Sequence, residues 1–242
     1  MFPLDIADRF RQLIRQMGWV NGVLYVFDRL LATVSGRRVC LHKNYLVAQP
    51  VPRKRRLPPH RGTAIEVRQI TAFDPIIREF PRPAWAAPYR FNQGATCLAA
   101  LQAGKFIGFM WLTLGPYQED EFRCRFVPVP EGRSAWDFDV YVDPAHRNGI
   151  AFLRLWDEAN GFLTEHQVPW SLSRISAFNS GSMLSHARMG AQRVGAVAIL
   201  SIGSWQVSAA TVPPYFHFST HPESFPTFVL NPERLCRPVR AP

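Results

Sequence analysis

The sequence has no closely spaced cysteine pair. Its four cysteines, Cys40, Cys97, Cys124 and Cys236, are scattered along 242 residues. Structural zinc sites need cysteine or histidine ligands at short, regular spacing, so this pattern argues against such a site. It favours reduced thiols in a cytosolic protein, and we expect no metal site.

Long hydrophobic runs are also missing near the N-terminus. The longest uncharged run there, residues 16–27, falls short of the roughly 20 apolar residues that a membrane-spanning helix requires. Asp5, Asp8 and Arg9 precede any apolar run, which does not suit a secretory signal. We therefore expect a cytoplasmic protein without a transmembrane segment.

Acidic residues are scarce in the first quarter of the chain. Residues 1–62 contain 12 Lys/Arg and 3 Asp/Glu, a net charge of +9, whereas residues 63–242 contain 16 and 15. The Pro- and Arg-rich stretch PVPRKRRLPPHRG, residues 50–62, is typical of an extended linker. The composition predicts a basic extension over 1–62 and a main domain over 63–242.

The extension contains an amphipathic helix, because its apolar residues recur at helical spacing: Ile6, Phe10, Leu13, Ile14 and Met17. A denser apolar stretch follows Gly18. An amphipathic basic helix is typical of peripheral proteins on anionic membranes, although this helix could instead pack on the body. Nucleic acid is not expected as a partner, because prolines flank the RKRR run and no aromatic residues interleave with it.

Residues 63–242 alternate between strand and helix patterns. The predicted order is β-α-β-β-β-α-β-α-β, including a hairpin that turns at residues 103–105. This order predicts an α/β (α+β) fold, with a mixed sheet covered by helices on both faces.

One junction in this domain has the character of an anion site. The strand pattern WDFDVYV, residues 136–142, is followed by Asp143-Pro144 and then by a helix pattern that begins near Ala151. Gly149 and Ala151 are small, so the backbone N–H groups at the helix N-terminus are accessible to a bulky anion. Such N–H groups, together with the helix dipole, bind a pyrophosphate well.

This junction resembles the acyl-CoA signature of the GNAT superfamily of acyltransferases, and the resemblance extends over about residues 63–200. The family has V-x-P after a central strand, then (Q/R)-x-x-G-x-(G/A); here His146 stands where Gln or Arg is usual. The resemblance implies a mostly antiparallel sheet, acyl-CoA as co-substrate with no permanently bound cofactor, and transfer of the acyl group to an amine. It also implies that CoA contacts Val140, Tyr141, Val142, His146, Arg147, Asn148, Gly149, Ile150, Ala151 and Phe152.

A second stretch, NSGSMLSHARMGA, resembles a later motif of the same family. Asn179 matches the residue that contacts the pantetheine arm, and His186 stands where a tyrosine usually protonates the leaving thiolate. A histidine could perform this proton transfer, because its ordinary pKa lies near neutrality. From the residues alone, Asn179 could equally be a helix N-cap and His186 a structural histidine.

Transfer to an amine also needs a base. Strict alternation in WDFDVYV puts Asp137 and Asp139 on one face, and burial in a central strand would raise the pKa of a carboxylate there. Asp139 is the first candidate, followed by Asp137 and Glu121. The alternative is that these carboxylates form ion pairs with Arg174 or Arg123.

The acceptor is not identified by any motif. If residues 1–62 lie on the inner face of a membrane, a lipid amine such as a sphingoid base fits, as in the bacterial ceramide synthases, which are GNAT-type N-acyltransferases. The alternatives are a soluble small-molecule or protein N-acetyltransferase, and a non-catalytic acyl-CoA-binding module.

Overall fold

The computed structural model of the protein describes residues 14–36, 38–147 and 149–236. In chain order, the elements are α1 (Trp19–Val34), β1 (Val39–Pro50), β2 (Ile65–Ile70), α2 (Ala86–Phe91), β3 (Thr96–Gln102), β4 (Lys105–Thr113), β5 (Tyr117–Gln118), β6 (Arg125–Pro128), β7 (Ser134–Val142), α3 (Ala151–Glu165), β8 (Trp170–Ser176), α4 (Ser180–Arg188), β9 (Gln192–Ile202), β10 (Trp205–Ala210), β11 (Phe216–Ser219), β12 (Thr227–Leu230) and α5 (Pro232–Leu235). Short 3₁₀ turns occur at Pro75–Glu79 and Pro144–His146.

The chain divides into two compact units. The first contains the chain up to Gln49, Glu121–Arg125 and Arg174–Phe228, and the second contains Pro50–Asp120, Phe126–Ser173 and the chain from Val229 onward. The division predicted at Gly62 differs from this one. Residues 39–50 are not part of a helical extension, because they form a strand that pairs with β9 near the other end of the sequence.

The first unit contains four antiparallel strands in the order β11-β10-β9-β1. β1 and β9 pair from Val39–Ile202 to Ala48–Gln192. The helix α1 begins directly after Gly18, whose φ of 78° is in the left-handed region that glycine adopts without strain. Gly18 therefore separates α1 from the helical residues 14–17.

The second unit contains β7, β4, β3, β2 and the first part of β8, residues 170–173, in the strand order β8-β7-β4-β3-β2. A small sheet has the order β12-β6-β5. Of the pairs in the five-stranded sheet whose register the structure describes, β7 with β8 is parallel and the others are antiparallel. The predicted mixed, mostly antiparallel sheet is confirmed.

Helices cover both faces of the five-stranded sheet. The ring of Phe91 in α2 lies 4.8 Å from that of Trp111 in β4. Leu155 of α3 lies against the position where Gly108 would carry a Cβ, at 3.5 Å. Because Gly108 and Trp111 project from opposite faces of β4, α2 and α3 cover opposite faces of the sheet.

The N-terminal amphipathic stripe is described only in part. Ile14 and Met17 are helical, whereas Ile6, Phe10 and Leu13 lie outside the described residues. No helix in the described ranges is both long enough and apolar enough to cross a membrane.

The Pro- and Arg-rich segment 50–62 packs on α3. Both carboxylate oxygens of Asp157, a residue only 1% exposed, accept backbone N–H groups of this segment, from Arg56 at 2.8 Å and Leu57 at 2.9 Å. Arg55 forms an ion pair with Glu158 at 3.2 Å. Because a buried carboxylate needs hydrogen-bonded partners, these contacts fix the middle of the segment on the helix, where the sequence predicted a linker.

Candidate acyl-CoA site

The central strand β7 contains a bulge at its middle. It pairs with β4 through Trp111–Phe138 and Phe109–Tyr141, so two residues of β7 oppose one residue of β4 between these pairs. Asp139 is one of the two, with a φ of 47°. An extra residue in one strand bends it and redirects the side chains beyond it.

The bulge interrupts the alternation that the sequence predicted for β7. Phe138 and Asp139 both contact the Arg90 guanidinium of α2, through the face of the ring and through a carboxylate oxygen respectively. Asp137 instead accepts a hydrogen bond from Ser171 of β8. The prediction that Asp137 and Asp139 share one face is wrong.

The parallel pairing of β7 with β8 stops at Asp137–Ser173, although β7 continues to Val142. The predicted CoA contacts Val140, Tyr141 and Val142 lie in this last part of β7. Tyr141 pairs with Phe109 and Val142 with Gly108 on the β4 side. The opposite edge of β7 is thus not paired with β8 along these residues, which leaves backbone groups for another partner.

Gly108 allows β4 to lie close to this part of β7. A Cβ at residue 108 would be 2.5 Å from the backbone oxygen of Tyr141 and 3.4 Å from the Cα of Val142. No side chain fits at the first of these distances without moving backbone. The glycine is required by the close approach of the two strands.

The loop after β7 leads into an α3 N-terminus that none of the described side chains caps. Asp143 caps the preceding 3₁₀ turn, because its carboxylate accepts the N–H of Ala145 at 2.9 Å. The first hydrogen bond of α3 runs from the N–H of Arg154 to the oxygen of Ile150. The N–H groups of the first turn precede this bond, as expected for an anion-binding helix end.

The predicted phosphate residues occupy this loop. Gly149 donates its N–H to the oxygen of His146 at 3.1 Å, and a Cβ at residue 149 would lie 3.3 Å from that oxygen. Arg147 points back toward the strand, with Nε donating to the oxygen of Val142 at 3.0 Å. The predicted contact Asn148 lies outside the described residues.

The end of the basic segment lies beside the same helix end. A Cβ at Gly62 would be 3.1 Å from Cδ1 of Ile150 and 3.0 Å from Cδ of Arg154. Arg61, the preceding residue, is exposed. The segment therefore adds positive charge near the first turn of α3.

Asp139 is held by two arginines of the second unit. Its carboxylate accepts hydrogen bonds from Arg82, one of them at 2.8 Å, and from Arg90 at 2.5 Å. Burial alone would raise the pKa of Asp139, but the two guanidinium groups outweigh it and lower the pKa below its ordinary value. The expectation of a raised pKa is wrong for Asp139. The carboxylate does form ion pairs, but with Arg82 and Arg90 and not with Arg174 or Arg123.

Asp137 has the raised pKa that the sequence assigned to Asp139. It is 2% exposed, at the last pair between β7 and β8, and accepts a 2.6 Å hydrogen bond from Oγ of Ser171. Burial raises the pKa of Asp137 to about 7, although hydrogen bonds from Ser171 and Ser173 oppose the shift. Its carboxyl group can therefore exchange a proton near neutral pH.

The third carboxylate, Glu121, belongs to the first unit. It forms a 2.7 Å ion pair with Arg174 of β8, as the alternative interpretation from sequence expected. The Glu121 side chain is 56% exposed. Its carboxylate is thus engaged by a guanidinium.

The two residues of the later motif also belong to the first unit. Asn179 caps α4, since its side-chain oxygen accepts the N–H of Ser182 at 3.0 Å, which confirms the N-cap alternative. His186 is 4% exposed, and burial lowers its pKa to about 4. The imidazole is therefore neutral at pH 7. The expectation of a pKa near neutrality is wrong, and the predicted role of His186 as a proton donor depended on it.

Sequence reasoning missed Arg82, Arg90 and Gly108. The two arginines are 57 and 49 residues from Asp139 in sequence, so no local pattern connects them. Asp157 was also missed, although a carboxylate next to Leu155 and Trp156 on the apolar stripe of a helix is a signal of a buried polar contact. In the described parts of the chain, no group of three His, Cys, Asp or Glu side chains is placed to hold a metal ion.

No family model matches the sequence, and no curated protein matches it. Among solved structures, a functionally unknown conserved protein from Staphylococcus epidermidis is 9% identical, with a TM-score of 0.48 over 72% of this chain and 67% of that one. A tandem GNAT protein from the clavulanic acid biosynthesis pathway is 13% identical, with a TM-score of 0.43 over 68% and 55%.

A GCN5-related N-acetyltransferase from Kribbella flavida is 13% identical, with a TM-score of 0.40 over 72% of this chain and 63% of that one. The chain therefore spans between about half and two thirds of the length of these three structures. Sequence identities of 9–13% and TM-scores below 0.5 do not indicate a shared activity.

Proposed function

We propose that the protein is an acyl-CoA-dependent N-acyltransferase of the GNAT type. The observation that carries this proposal is the course of β7. Its pairing with β8 ends at Asp137–Ser173, while the strand itself continues to Val142. The chain then passes through Gly149 into a helix that no side chain among the described residues caps. An open strand edge suits the amide groups of pantetheine, and the helix end suits a diphosphate.

Arg61 supports a phosphate-rich ligand, because its neighbour Gly62 lies against the first turn of α3. Arg154, in that turn, donates to Glu158 at 2.6 Å. Asp137 is proposed as the base, since a carboxyl group with a pKa of about 7 can accept a proton from an ammonium group at neutral pH. His186 is less suited to proton transfer because burial lowers its pKa to about 4. Asp139 is less suited because its ion pairs with Arg82 and Arg90 lower its pKa.

Replacing Gly149 with valine should weaken acyl-CoA binding at least tenfold, or about 1.4 kcal/mol, because a branched side chain would occupy the space for the diphosphate. Calorimetry with acetyl-CoA measures this affinity, and amine-dependent release of the CoA thiol measures transfer. Gly115→Val is the matched control, because a Cβ at Gly115 meets no atom within 4 Å. Unchanged affinity in Gly149→Val would refute the proposed position of CoA.

A membrane location is proposed for α1. One face of this helix exposes large apolar side chains at helical spacing, among them Trp19 at 67%, Phe27 at 50% and Leu30 at 60%. Arg15 and Arg29 lie nearby in sequence, within the segment that carries most of the net charge. Exposed apolar area and positive charge together favour an anionic lipid surface, and a lipid amine as acceptor depends on this location.

The double variant Trp19→Ser/Phe27→Ser should lose most sedimentation with vesicles that contain anionic lipid. Full-length protein should bind such vesicles less as salt rises, because salt screens the electrostatic part within about 10 Å at 0.1 M. Phe73→Ser/Trp205→Ser is the control, since both residues are exposed elsewhere. If neither wild type nor control sediments with vesicles, the membrane proposal fails, and a soluble amine becomes the acceptor.

A further inference from the structure

A cavity in the first unit has a volume of about 170 Å³. Its walls come from α1, β1, Glu121 and the chain from Arg174 to Phe178. A water molecule requires about 10–15 Å³ in this measure, so the cavity could hold on the order of ten waters or one small organic molecule. None of the proposed CoA phosphate contacts line it.

Charges of both signs line this cavity. Asp28 and Glu121 supply carboxylates, while Arg29, Lys43 and Arg174 supply cations. A cavity of one sign would select an ion of the opposite sign. A cavity with both favours a ligand that also carries both.

The negative side is partly fixed by the backbone. Oδ1 of Asp28 accepts the N–H of Leu41 at 3.0 Å, which orients the carboxylate. The cavity also contains His42, whose pKa is lowered mainly by burial and by Arg174, against the opposing effect of Glu121 and Asp28. The imidazole is therefore neutral at pH 7 and does not alter the charge balance.

The positive side includes a rigid guanidinium. Arg174 donates to Glu121 at 2.7 Å and lies 4.8 Å above the ring of Phe122. Its side chain is 15% exposed. A guanidinium held by stacking and an ion pair is preorganised for a second carboxylate.

An unpartnered donor is also buried at the cavity. Asn44 is 2% exposed, and its side-chain nitrogen has no hydrogen-bond partner, while Arg174 lies 3.5 Å from its side-chain oxygen. A buried N–H without an acceptor destabilises the folded protein. A bound ligand oxygen would satisfy it.

We propose that this cavity binds a small zwitterion, a molecule with one ammonium and one carboxylate group. The ammonium contacts Asp28, and the carboxylate contacts Lys43, Arg174 and the side-chain nitrogen of Asn44. The site is independent of the proposed acyl transfer. It would stand even if the protein did not bind CoA.

Three probes of equal chain length test the proposal on the full-length protein: 5-aminopentanoate, pentylamine and pentanoate. Calorimetry should show that the zwitterion binds at least tenfold more tightly than either singly charged probe, because each singly charged probe lacks one of the two groups that form charge-assisted hydrogen bonds. Equal affinity for all three probes, or no binding at millimolar concentration, would overturn the proposal.

Two charge-neutralising variants should act in opposite ways. Asp28→Asn keeps an oxygen for the N–H of Leu41 but should remove the advantage of the zwitterion over pentanoate. Lys43→Gln should reduce its advantage over pentylamine at least threefold. Glu223→Gln and Arg188→Gln are controls, because both residues are exposed and outside the cavity. A uniform loss for every probe in both cavity variants would contradict direct charge contacts.

Discussion

Asp139→Asn should lower the free energy of unfolding by about 2–3 kcal/mol. Removing one partner of a buried ion pair typically costs about 3–5 kcal/mol, since the other charge remains buried. Arg90, which is 4% exposed, would keep Asp120 at 2.8 Å as a partner, and Arg82 is more exposed. Because both arginines are thus partly compensated, the expected loss of unfolding free energy is smaller than about 3–5 kcal/mol.

The backbone is not the cause of this expected loss. Asparagine tolerates the left-handed region where residue 139 lies, with a φ of 47°. Urea denaturation should therefore show a lower midpoint with an unchanged slope. Asp143→Asn is the matched control, because asparagine can also cap the turn at Pro144–His146.

A different result would change the role of Asp139. If Asp139→Asn kept full stability and lost only amine-dependent thiol release, its carboxylate would act as the base despite its ion pairs. Asp137 would then be a structural residue.

Asp137→Asn should make the protein more stable than wild type near pH 7, by an amount that grows as pH rises from about 4 to 7. The carboxyl pKa is about 7 when folded and about 4 when unfolded, a difference of about 3 units, or about 4 kcal/mol. Between these values the folded state holds a proton that the unfolded state has released. Wild-type stability therefore falls as pH rises from about 4 to 7, and the loss levels off above 7.

The measurement is the difference in unfolding free energy between variant and wild type, from pH 4.5 to 8. Other titrating groups cancel in this difference. Asp139→Asn gives an internal contrast: the folded pKa of Asp139 is lowered below its ordinary value of about 4, so its contribution to stability is constant over this pH range and is lost only at lower pH. A flat difference for Asp137→Asn from pH 4.5 to 7 would show that its folded pKa is ordinary.

Local patterns in the sequence predicted the elements that local chemistry determines. The alternation of WDFDVYV predicted β7, and the small residues before Ala151 predicted the start of α3. The strand β1 was missed, because His42, Lys43 and Asn44 interrupt its apolar pattern and line a cavity instead of a solvent face.

The charge partners of the site could not be predicted in the same way. The bulge at Asp139 depends on how β7 pairs with β4, which the sequence of β7 alone does not contain. Once the bulge turned Asp139 toward α2, its partners were two arginines from distant segments. Asp137 lies on the other face of β7, where Ser171 donates a hydrogen bond to it and burial raises its pKa.

The close approach at Gly108 affects how sequence variation among relatives should be interpreted. Any substitution there adds a Cβ at 2.5 Å from the backbone oxygen of Tyr141, whatever the chemistry of the rest of the side chain. An invariant glycine at this position would therefore report a steric limit of the sheet. It would not be a sign of catalysis. In a mutational library of β4, substitutions at residue 108 would report this steric limit, and only the other positions would report on the chemistry of the site.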